Sequence, residues 1–134
     1  MTSIVDIDGI GPAYAATLGT QGIKSTEALL KAGATREGRA ELAAATGITE
    51  KLILAWTNKA DLFRIKGVGE QYSDLLEAAG VDTVVELSNR RADHLTKKLA
   101  EVNQEYKFVR QLPTEAQVGD WIEEAKALPR VMTY

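Results

Sequence analysis

Cysteine is absent from the 134 residues. That excludes disulfides and thiolate zinc sites, and it fits a reducing compartment. Histidine is nearly absent: His94 is the only one. With no second histidine or cysteine to partner it, neither a metal site nor histidine-based catalysis has support. No stretch approaches the roughly 20 apolar residues of a membrane helix. The opening Met1-Thr-Ser-Ile-Val-Asp6 lacks the basic region and apolar run of a signal peptide. The expectation is a cytoplasmic protein that does not engage a membrane. An excess of positive charge is missing too, because 16 Lys and Arg face 19 Asp and Glu, a formal net of −3. Residues 1–61 carry six basic and seven acidic side chains, and residues 62–134 carry ten and twelve. Neither part has the broad basic character that holds nucleic acid by charge alone.

What is present is ordinary globular material. Hydrophobic residues make up 45% and charged residues 26%, which argues against disorder. The informative feature is an internal repeat. Residues 7–29 read IDGIGPAYAATLGTQGIKSTEAL, and residues 65–87 read IKGVGEQYSDLLEAAGVDTVVEL. At an offset of 58, Gly9, Gly11, Tyr14, Leu18, Gly22 and Leu29 fall on Gly67, Gly69, Tyr72, Leu76, Gly80 and Leu87. The match resumes later at an offset of 65, with Thr49-Glu50 on Thr114-Glu115, Trp56 on Trp121 and Ala60 on Ala125. The second copy therefore carries seven extra residues between its two blocks. The expected division is a first repeat over 1–61 and a second over 62–134, the latter with a longer connecting helix and a C-terminal tail. A half of about 60 residues is marginal alone, so the two are expected to pack together.

The pattern predicts an all-α fold. Pro12 suits the first turn of a helix, where its missing N–H has no partner to lose. Gly22 suits a helix C-terminal cap. Ser25 or Thr26, Thr35, Thr49 and Thr114 suit N-caps. Leu95, Leu99, Val102, Tyr106 and Val109 recur every three or four residues, so one apolar stripe predicts a long helix over 91–111, ended by Pro113. Val84-Val85 is too short for a strand. Trp56 and Trp121, matched on the apolar sides of helices, are expected in the core rather than stacked on bases, and Tyr14 and Tyr72 in the core or at its rim.

Ile7-x-Gly9-Ile10-Gly11 with Ala15 and Leu18, and Ile65-x-Gly67-Val68-Gly69 with Leu76, resemble helix-hairpin-helix motifs. In DNA repair and recombination proteins such hairpins present backbone N–H groups to a phosphate. The whole chain, notably Phe63–Gly80 and Trp121–Pro129, also resembles a bacterial family of tandem units of this kind whose activity is uncharacterised. The resemblance implies two tandem helix-hairpin-helix units. It departs from the DNA-binding pattern in one respect. Where a Lys or Arg usually follows the second glycine, this chain has Pro12-Ala13 and Glu70-Gln71.

Two glycines let a backbone turn and let a ligand come close. The N–H groups after the turn open a helix and lack intrahelical partners, which suits an anion. Hairpin one is flanked by Asp6 and Asp8, which repel phosphate; hairpin two by Arg64 and Lys66. The expected ligand-binding residues are thus Arg64, Lys66, Gly67, Val68, Gly69 and Gln71, with Gly9 and Gly11 as their counterparts in the first copy. Further basic residues are Arg36 and Arg39 in the first copy and Arg90, Arg91, Lys97, Lys98, Lys107 and Arg110 in the second; Arg91, Lys97 and Lys98 line one helix flank that reads as a solvated face with interleaved Glu101 and Glu105. Gly9-x-Gly11 is not a dinucleotide fingerprint, since no βαβ unit precedes it. The expectation is a non-enzymatic binding module without cofactor that grips DNA or RNA backbone phosphates independently of sequence. The alternative is a scaffold that binds another protein, its hairpins purely structural.

Overall fold

The computed structural model describes residues 3–134. A short 3-10 turn, Ile4–Asp6, precedes α1 (Pro12–Gly19), α2 (Thr26–Gly33), α3 (Arg36–Thr46) and α4 (Glu50–Leu62). Then follow α5 (Glu70–Ala78), α6 (Val84–Ser88), α7 (Ala92–Tyr106) and α8 (Glu115–Ala127). No strand occurs among the described residues; an isolated bridge joins Ser3 and Ser25. The protein is all-α. No described helix is long and apolar enough to cross a membrane.

Short polar residues start these helices. The side chains of Ser25, Thr35, Thr83 and Thr114 accept hydrogen bonds from the N–H groups of Ala28, Gly38, Glu86 and Gln117. Gln117 returns a bond to the Thr114 N–H, completing a capping box. Positions 58 apart end their helices in the same way. The N–H of Ile23 bonds the Leu18 carbonyl at 3.1 Å and that of Gly22 bonds Gly19 at 3.0 Å, while Val81 bonds Leu76 at 2.8 Å and Gly80 bonds Glu77 at 3.0 Å. Each pair is a Schellman closure, which needs a left-handed residue where Gly22 and Gly80 stand.

The chain divides into two compact units. One runs to Asp61 and takes back Val131–Tyr134; the other is Leu62–Arg130. In the first, α2 packs on α3, and Ile7, Leu18, Leu29 and Ile53 are fully buried. In the second, α8 packs on α6 and α7, α7 also meets α5, and Ile65, Leu76, Leu87 and Leu99 lie in the core.

The sequence division put the tail with the second repeat, but its last four residues belong to the first unit. Alongside the Thr133 N–H bond to the Ala34 carbonyl and the Tyr134 hydroxyl bond to Asn58, Arg39, only 4% exposed, helps to hold them there. Its guanidinium donates to the Gly33 carbonyl at the end of α2 and to the Thr133 carbonyl, each at 2.8 Å. It also lies 5.7 Å from the centre of the Tyr134 ring. The negative end of the α2 dipole suits this cation.

The long helix also ends sooner than its apolar stripe predicts. It stops at Tyr106, because Lys107 turns left-handed at φ 54° and its N–H closes on the Asn103 carbonyl at 2.8 Å. Asn103 then clamps the following loop through two 3.0 Å bonds to the backbone of Val109. Val109 therefore reaches the core from a loop, while Tyr106 stands out from it, 62% exposed.

Candidate functional site

The two Gly-x-Gly turns share one construction. Ile7 N–H bonds Ile4 O and Ile10 N–H bonds Ile7 O; Ile65 N–H bonds Leu62 O and Val68 N–H bonds Ile65 O, all at 3.1 Å. Gly9 and Gly67 take φ 95° and 88°, a region that L side chains avoid. A Cβ on Gly9 would stand 3.2 Å from Trp56 Nε1, and one on Gly67 would stand 3.4 Å from Trp121 Nε1. Each indole is buried, 3% and 5% exposed, and packs on a tyrosine of the helix that follows the turn. Tyr14 and Trp56 have ring centres 5.0 Å apart; Tyr72 and Trp121 are 5.2 Å apart. Positive φ thus demands glycine at the first position of each turn, and the nearby tryptophan adds crowding at Gly9 but not at Gly67.

The second glycine is different. Gly11 and Gly69 sit at the N-caps of α1 and α5 with φ −82° and −107°, values open to any residue. A Cβ at either would meet nothing within 4 Å. Neither conformation nor crowding demands glycine there. Neither helix receives a side-chain cap. In α5 the first closing bond is from Ser73 N–H to Gly69 O at 2.8 Å. The preceding N–H groups of Glu70, Gln71 and Tyr72 are left over from the helix ladder. In α1 the proline at the first position removes one such donor.

The expected ligand residues do not all converge. Gly67, Gly69, Lys66 and Gln71 are exposed, whereas Val68 is a core residue. Arg64 donates to the Pro129 carbonyl at 2.6 Å, so its guanidinium is bound to its own chain. The Lys66 N–H is met by the Glu124 carboxylate, at 3.1 and 3.2 Å to its two oxygens. An internal anion therefore occupies the approach before Gly67. In the first turn Asp6 and Asp8 are exposed beside Gly9.

Two cations outside the expected set stand near Gln71. A cleft of about 430 Å³ is lined by Gln71 and Tyr72 of α5 and by Lys107, Phe108, Arg110 and Gln111 of the loop after α7. The Tyr72 hydroxyl donates to the Gln111 carbonyl at 3.3 Å and ties loop to helix. Lys107 and Arg110 are exposed, and neither side chain has a hydrogen bond or ion pair within the described residues. The available signal was the seven extra residues of the second copy, since this loop lies between its two matched blocks. The Lys97–Lys98 flank stays exposed. No group of three or more potential metal ligands occurs among the described residues.

A family model described as Domain of unknown function (DUF4332) matches residues 8–128, and the chain belongs to that family. No solved structure matches it.

Proposed function

We propose that this member of the DUF4332 family is a non-enzymatic module that grips the phosphate backbone of DNA or RNA through the second of two tandem helix-hairpin-helix turns, while the first turn is architectural. The carrying observation is Gly69. Glycine has no packing or conformational role there, and its lack of a side chain leaves the N–H groups of Glu70, Gln71 and Tyr72 open to a bulky anion. Lys107 and Arg110 border the adjoining cleft and add their charge to that of Arg64, which also donates to Pro129. Gly11 is equally unobstructed, but Asp6, Asp8 and Pro12 deprive that turn of charge and of one donor.

The test is binding of a labelled oligonucleotide across a salt series. Neutralising about three phosphates gives a log–log slope near −2 on a single strand, so raising salt from about 50 to about 200 mM weakens binding about 16-fold. Gly69→Ala should reduce affinity several-fold and Gly11→Ala should not. A specific observation favours a second reading, a protein-binding scaffold with structural hairpins: Glu124 and Pro129 already satisfy the groups before Gly67. Absence of binding at about 50 mM salt would leave that reading in place.

A further inference from the structure

We infer that the nucleic acid taken at this cleft is single-stranded, and that Tyr106 is the platform on which one of its bases stacks. The inference rests on the phosphate reading above but is carried by other residues. Tyr106 ends α7 with 62% of its surface in water, the most exposed large hydrophobic side chain among the described residues. Its ring leans on Phe108, with centres 5.9 Å apart and planes at 40°, and Phe108 lines the cleft. The run Tyr106-Lys107-Phe108-Val109-Arg110-Gln111 interleaves aromatics with two cations and contains no acid.

The platform is already ordered. Asn103 holds Val109 on both sides of its peptide, and Tyr72 holds Gln111. A ligand would therefore order little of this loop on binding. Stacking on an aromatic ring needs a base with an uncovered face. A single strand offers one at every nucleotide, whereas the interior bases of a duplex are covered on both sides. Free cations beside an exposed ring suit a strand whose phosphates and bases are engaged together.

The experiment uses the full chain at about 50 mM salt and four probes: a labelled thymidine 12-mer, an abasic 12-mer with the same phosphates, a duplex of that length, and thymidine monophosphate. The thymidine strand is expected to bind about tenfold more tightly than the abasic strand. Tyr106→Ala should erase that difference and leave abasic binding unchanged, while Tyr106→Trp preserves it. The side chain is exposed, and a matching circular-dichroism melt checks that each variant folds. Equal binding of thymidine and abasic strands, equal weakening of both by Tyr106→Ala, a duplex bound as tightly as the single strand, or a monophosphate bound as tightly as the 12-mer would each overturn the stacking inference. In those four cases oligonucleotide binding itself persists, so the phosphate reading survives. Failure of every oligonucleotide to bind would remove both.

Discussion

The glycines of each turn should respond to alanine in opposite ways, although they lie two residues apart. Gly67 has φ 88°, where an L side chain adds roughly 1–2 kcal/mol of strain. The shorter list of unfolded conformations open to alanine offsets about 0.4–1 kcal/mol. The added Cβ at 3.4 Å from Trp121 Nε1 is at the edge of ordinary contact. Gly67→Ala is therefore expected to lose about 1 kcal/mol net. Gly9→Ala should lose more, about 2 kcal/mol. Its Cβ meets Trp56 Nε1 at 3.2 Å, and that indole is held by burial and by Tyr14. Gly69→Ala has no strain and no neighbour. There the unfolded-state gain offsets the poorer N-cap, and the change should stay within about 0.5 kcal/mol. Urea unfolding reads all three, and the two tryptophans make the readout local. Trp121 reports on the second unit in a Trp56→Phe background, and Trp56 reports on the first in a Trp121→Phe background. A Gly69→Ala loss as large as that of Gly67→Ala would refute the argument. A Gly9→Ala variant of wild-type stability would refute it equally.

Three further outcomes follow from single contacts. Gly33→Ala drives a Cβ into the buried Thr57 side chain and should lose about 1–3 kcal/mol; adding Thr57→Ala should restore most of it, and a thermal melt of both variants checks this. Arg39→Met removes two charge-assisted bonds, one of them the tether to Thr133. It should cost about 2–3 kcal/mol and release residues 131–134 to limited proteolysis, whereas a tail still protected would show that Arg39 does not hold it. Lys107→Gly relieves a left-handed lysine at φ 54°, so stability should hold or rise by about 0.5 kcal/mol while oligonucleotide affinity falls several-fold; a stability loss above about 1 kcal/mol would contradict the strain assignment.

Much of the helical layout was readable from local chemistry. Caps such as Ser25, Thr35 and Thr114 act on N–H groups three residues away, and a glycine such as Gly80 closes its helix within five residues. Burial of Trp56 and Trp121 followed from their matched places on apolar helix faces. The misreadings share a long-range or conformational cause. Pro113 looked like the terminator of α7, but the helix stops at a lysine that carries no left-handed signature in sequence. The tail looked like part of the second repeat, but Arg39 meets the Thr133 carbonyl 94 residues on. The bond from Arg64 to the Pro129 carbonyl, 65 residues on, is a long-range contact of the same kind. Charge counting finds cations, but only folded partners decide which of them are free.

Two turns of one construction also differ in what surrounds them. The tryptophan behind the turn, the tyrosine on the next helix and the first glycine recur together, because each fixes the others' packing. The positive φ of the first glycine and the burial of the indole constrain this part of the turn whether or not a ligand exists. The second glycine recurs as well but is demanded by neither conformation nor crowding, and the loop after α7 is pinned at Val109 and Gln111 while Lys107 and Arg110 extend into solvent. There the copies diverge: Pro12 stands against Glu70, and the loop after α7 brings Lys107 and Arg110 beside Gln71. Function is best sought in the part that packing leaves free. By that reasoning, moving charge in the loop after α7 should alter binding without altering stability, and moving it beside Trp121 should do the reverse.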